Sequence, residues 1–119
     1  MKSFIAALIT LALLCTAVTV NCVFVRKDLY ELCEKCRAMP GDAADADASE
    51  IRKKWDGCSR FISISVDHRE TDSADDALSL LEASIERGDG ERYTELLTKL
   101  YGIFSRMYTA EGISIDGIL

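Results

Sequence analysis

The chain has 119 residues, with 20 acidic against 14 basic side chains and a formal net charge of −6. A chain this short holds one domain whose core is modest for its surface. An acidic surface without a basic stripe excludes nucleic acid and anionic lipid as main partners, because both require phosphate charge to be neutralised.

Met1, Lys2 and Ser3 precede an apolar run from Phe4 to Leu14, the charged start and short hydrophobic segment of a secretory signal peptide. Small residues follow. Cleavage after Ala17 places Cys15 and Ala17 at the small-residue positions, and cleavage after Thr19 places Ala17 and Thr19 there. Residues 1–19 are therefore read as a leader, with a mature chain starting near Val18 or Val20. The rival reading is a retained signal anchor, since the uncharged run from Ser3 to Val25 is long enough to cross a bilayer. Thr16, Thr19 and Asn21 interrupt its second half, and Arg26-Lys27 beyond it offset the amino-terminal charge, so orientation has no strong bias. The expected mature chain, 20–119, is a single secreted domain without a membrane span. It comprises a stapled part at 22–66, a helical hairpin at 73–110 and an apolar tail at 111–119.

Four helices are expected from periodicity, giving an all-α bundle. In the first, about 27–39, Leu29, Leu32, Cys33, Cys36 and Met39 recur at steps of three and four, and Pro40-Gly41 ends the stripe. "DAADADA" at 42–48 is a small acidic connector. The second, 49–60, carries Ile51, Trp55 and Cys58 on one stripe that Ile62 and Val66 extend. "FISISV" at 61–66 alternates like a strand, and "ISID" at 113–116 repeats the pattern, so a short strand pair is a rival there. "HRETDS" reads as a polar turn, with Ser73 and Asp76 resembling a capping box. The third helix, 74–87, buries Ala77, Leu80, Leu81, Ser84 and Ile85 and stops at Gly88. The fourth, 91–110, is the most apolar stretch of the mature chain and ends at Gly112. The tail "ISIDGIL" is hydrophobic for a terminus and is expected to dock on the bundle.

Cleavage removes Cys15 and leaves Cys22, Cys33, Cys36 and Cys58, an even number that favours two disulfides in an oxidising compartment. The Cys33–Cys36 spacing does not read as a redox motif, because it sits in the last turns of its helix, where the dipole and the nearby Glu31 and Glu34 raise a thiol pKa. Zinc is disfavoured too, since no second close pair accompanies the first and His68 is the only histidine. Staples remain: Cys33–Cys58 and Cys22–Cys36 are the favoured pairing among three, the second requiring 22–26 to be extended.

"DLYELCEKC" at 28–36 resembles the CxxC helix of the secreted arthropod hyperglycaemic-hormone group and its derived toxins, and the first helix of saposin-like domains. Both families are small, helical and six-cysteine. This chain lacks their later cysteine pairs, so the resemblance implies a small secreted helical fold and no particular function.

Two acidic groupings invite metal or acid–base chemistry. Asp45, Asp47, Ser49 and Asp56 take positions 1, 3, 5 and 12 of a calcium loop, but Glu50 stands where glycine is needed and Asp56 replaces the bidentate Glu. Asp67, His68, Glu70, Asp72, Asp75 and Asp76 lack a nucleophile or second histidine and read as a solvated helix start. Arg52, Lys53 and Lys54 read as a solvated face. No metal, cofactor or catalytic residue is expected. Tyr93, Tyr101, Phe104, Met107 and Tyr108 could line an apolar pocket or interface, with core packing as the default. The expected function is that of a secreted non-enzymatic protein, monomer or homodimer, that binds another protein as an extracellular signal, effector or venom-type toxin. A small carrier of hydrophobic ligands and an acidic extracellular-matrix component are the alternatives.

Overall fold

The stripe of Leu29, Leu32, Cys33 and Cys36 does lie on one buried helix face, but that helix begins far upstream of Lys27. The computed structural model describes residues 1–118, and side-chain surroundings for all of these except Ser65 and 112–118. In it α1 spans Lys2–Arg37, a short 3₁₀ turn spans Ala43–Asp45, and α2, α3 and α4 span Ser49–Ser65, His68–Arg87 and Gly90–Ile118. The protein is all-helical, with four α-helices and no strand among the described residues.

Residues 1–19 and the expected first helix form one continuous helix because nothing between them breaks it. The hydroxyls of Thr16 and Thr19 donate to the carbonyls of Ala12 and Cys15, each at 2.8 Å, so these residues interrupt the apolar run without breaking the helix. The chain turns out of α1 at Ala38, just before Pro40.

Three further boundaries differ from expectation. Residues 61–65 and 113–116 lie in α2 and α4, so the strand reading is wrong at both places; period-two alternation over four to six residues is too short to override helices already nucleated upstream. The third helix starts at His68, six residues before expectation, because Asp67 rather than Ser73 caps it: the Asp67 carboxylate accepts from the backbone N–H of Arg69 at 3.0 Å. Gly112 does not end α4, since a glycine costs a helix about 1 kcal/mol but stops it only when the backbone turns left-handed. Gly88 does turn, with φ of 69° in the αL region, and α3 ends there. The tail's side chains lie outside the described residues, and so does its expected docking.

Core residues come from every helix. Val25, Leu29 and Leu32 of α1, Ile51, Trp55 and Ile62 of α2, Ala74, Leu78 and Leu81 of α3, and Leu100, Ile103, Phe104 and Met107 of α4 are buried together. Trp55 and Phe104 meet at its centre with ring centroids 5.5 Å apart. The first buried residue in the chain is Cys22. Upstream of Asn21 every side chain is exposed except Thr19, which is half-buried, so the start of α1 projects from one end of a particle whose extents are 67 × 21 × 20 Å.

Candidate interaction surface

The aromatic stripe of α4 is used up in the core. Tyr93, Phe104 and Met107 are fully buried, and Tyr101 and Tyr108 pack half-buried against the same cluster. Tyr93 donates its hydroxyl to the Pro40 carbonyl at 2.6 Å, which ties the start of α4 to the turn after α1. Burial, with the charge of Asp42 and the Cys36 thiol behind it, pushes that phenol's pKa up. Tyr108 packs at a tilt against Tyr30 with ring centroids 6.0 Å apart, and the Arg26 guanidinium sits 4.7 Å above its ring.

The basic cluster of α2 is not a solvated face. Arg52 reaches across to α3, donating to Ser79 Oγ at 3.0 Å and to Glu82, with Asp75 at 3.4 Å. Trp55 Nε1 donates to Asp75 Oδ1 at 2.7 Å beside it. Lys54 turns the other way and holds Asp28 at 2.9 Å and Glu31 at 2.7 Å on α1. Donating hydrogen bonds to Glu31 and Asp28 raises the Lys54 pKa, and the same contact with Lys54 lowers that of Glu31. Only Lys53 of the three stays exposed. The residues of the calcium-loop reading are dispersed into other work: Asp47 accepts from the Ser49 backbone N–H at 2.9 Å as α2 starts, which lowers its pKa, and Asp56 pairs with Arg52. Of the acidic group at 67–76, Asp67 caps α3, Glu70 pairs with Arg106 at 3.3 Å and Asp75 serves Arg52 and Trp55.

No bridge joins the described cysteines, and helix geometry shows why the expected pairs do not form. Cys22 and Cys36 lie on one unbroken helix, about 21 Å apart along its axis, and a disulfide needs its Cα atoms within about 7 Å. Lys54 pairs with 28 and 31, and Lys35 lies 3.8 Å from Glu50, so α2 runs antiparallel to α1 with Cys58 about one turn nearer the leader than Lys54. Cys33 is then displaced from it by about 11 Å along the axis. The thiols of Cys36 and Cys58 are both pushed up to about 12 by burial, helped at Cys36 by Cys33 and at Cys58 by Asp28. Cys33 is raised in the same way, with Glu34 second to burial. The direction expected for the CxxC thiols is right, and its main cause is desolvation rather than the helix dipole.

Two surface features remain. One is an apolar collar: Val23 and Phe24 on α1 and Phe61 and Ile64 on α2 are all exposed, Ile64 at 72%. By the register above they sit at the end of the bundle from which residues 1–19 project. The other is a cleft of about 290 Å³ between the start of α3 and the far part of α4, lined by Val66, Asp67, Glu70, Arg106, Met107, Ala110 and Glu111. Glu111 is 2% exposed, and its Oε2 has no hydrogen-bond partner among the described residues. Burial raises its pKa, opposed by a hydrogen bond from Cys22. A carboxylate on the apolar stripe that runs through Phe104, Met107 and Tyr108 was the sequence signal for it.

No protein-family model, curated protein or solved structure matches the chain.

Proposed function

We propose that this is an exported helical module: residues 1–19 carry it across a membrane and are removed, and the remaining domain acts outside the cell, without catalysis, by binding another protein. The observation that supports this most is where burial begins. Among the described residues the core lies between Cys22 and Glu111, so cleavage at Val18 or Val20 takes away an exposed apolar rod and no buried side chain. A filled aromatic core favours a binder over a carrier, and the exposed collar of Val23, Phe24, Phe61 and Ile64 is its candidate contact.

Expression in secreting cells, followed by mass determination of the product, tests the export step. Protein in the medium that begins near Val20 supports it, and protein held in membranes with Met1 in place refutes it. One feature favours that second reading: α1 runs without a break from its apolar start into the bundle, with hydropathy sufficient for a membrane span and the collar around its exit. Disulfide staples belong to the export reading as an oxidised state. They require α1 to give up its helical geometry at Cys22 for the Cys22–Cys36 bridge and α2 to shift along α1 for Cys33–Cys58, and without those changes the sulfurs act as buried apolar groups. The same mass measured without reductant counts any bridges.

A further inference from the structure

We propose that Glu111 is the docking point for the α-amino group that leader removal creates at Val20, so that cleavage itself completes an ion pair between α1 and α4. This rests on the reading of residues 1–19 as a removed leader.

Glu111 is a carboxylate in the wrong place for the uncut chain. It is 2% exposed, and its Oε2 is left without a partner among the described residues, a costly arrangement for a charged group. Its hydrogen bond with Cys22 places it against α1 two residues past the expected cut. That is about 3 Å of rise and about 200° of rotation from Val20, which is 46% exposed, so the freed first turn has to unwind for its amine to reach the carboxylate. Thr19, the one residue ahead of Asn21 that is not exposed, shows that the flank of the bundle reaches this level.

Cleavage changes what Glu111 faces. In the uncut helix the backbone N–H groups at the level of Val20 to Val23 are bonded to carbonyls one turn upstream, within the leader. Removing the leader strips away those carbonyls, leaving a helix amino end with free N–H groups, the positive pole of its dipole and an ammonium. The flank of a continuous helix thus becomes a cationic end beside a buried carboxylate.

Among the described residues the other charged and titratable groups near Glu111 are few. Cys22 and Arg26 belong to α1, and Arg106 and Tyr108 to α4; Asp67 and Glu70 come from the start of α3. Arg106 is engaged by Glu70 at 3.3 Å. Arg26 is the competing cation, because it lies over Tyr108 and its own Nε is buried without a partner among the described residues.

The test uses processed protein recovered from secreting cells, with its amino terminus determined by mass. The pH dependence of acylation of the α-amino group is measured in native and unfolded protein. The expected native pKa lies about one unit or more above the unfolded value of about 8. Stability from the pair should be complete below the unfolded value and disappear as pH rises through the native one, as long as Glu111 stays ionised. Selective acetylation of the amino terminus should lower Tm by about 4–8 °C, and the loss should vanish in Glu111→Gln.

An α-amino group that titrates as in the unfolded chain overturns the proposal, as does acetylation that leaves Tm unchanged or harms Glu111→Gln equally. A Tm that falls with Arg26→Gln but not with acetylation assigns Glu111 to Arg26 and also overturns it. If Glu111→Gln does not accumulate, the titration alone decides. Protein that keeps Met1 defeats the leader reading and this proposal together; a free amine at Val20 with an ordinary pKa defeats only the pairing.

Discussion

The two halves of α1 share one backbone helix and differ in everything their side chains meet. From Lys2 to Val20 the residues are mostly apolar on every side and, Thr19 apart, exposed, whereas from Cys22 to Arg37 a single stripe is buried and the outer faces carry the charges along with exposed Val23, Phe24 and Tyr30. Helix formation needs only the absence of breakers, while burial needs an amphipathic face with partners opposite it. Secondary structure therefore ignores the boundary near residue 20, and tertiary structure marks it.

If the lower half alone belongs to the domain, the largest losses of stability should come from its core partners. Phe104→Ala, which empties the space against Trp55, is expected to cost about 3–5 kcal/mol in denaturant unfolding. A loss under about 1 kcal/mol would mean that the bundle is not packed as described.

Alkaline titration sharpens the comparison next. Cys36 and Cys58 have native values near 12 against 9.0 for an unperturbed thiol. Their contribution is complete below about pH 9 and is lost as pH rises toward 12, because the unfolded chain then releases protons that the folded chain retains. Lys54, raised by its two carboxylates, adds a loss in the same direction at higher pH. Unfolding followed from pH 7 to 11 should show stability falling from about pH 9, with the alkaline loss reduced in Cys58→Ala relative to the parent. Constant stability over that range would show the thiols to be bridged or exposed.

Smaller effects test the seam and then the leader. Lys54→Ala should cost about 0.5–1 kcal/mol, since its ion pairs with α1 are only partly shielded from water. In the upper half, Leu8→Arg combined with Leu11→Arg should change the stability of the bundle by less than about 0.5 kcal/mol while abolishing export. A large destabilisation from that pair would place the upper half inside the folded unit and erase the contrast.

Much of this is legible in the amino-acid sequence. The stripes through Leu29, Trp55, Leu81 and Phe104 identify core faces because steps of three and four residues leave little choice of which side turns inward. Gly88 marks the end of α3 for a reason local to its own backbone. The start of α3 was misjudged because Asp67 and Ser73 are both competent caps, and sequence does not rank two such caps when Thr71 between them can be buried. The role of Arg52 was missed because an exposed cation and one bonded to Ser79 and Glu82 have the same local sequence. Their partners lie 27 and 30 residues away.

The sequence by itself determined that the chain is helical, which faces are apolar, and that its first residues form an unusually hydrophobic segment, since these follow from local periodicity and side-chain chemistry. Tertiary structure alone decided which cysteines lie at the same level, which charges are neutralised, and that Glu111 is buried opposite Cys22. Those depend on the register between antiparallel helices, and register is set by how whole faces interlock rather than by any short run of residues.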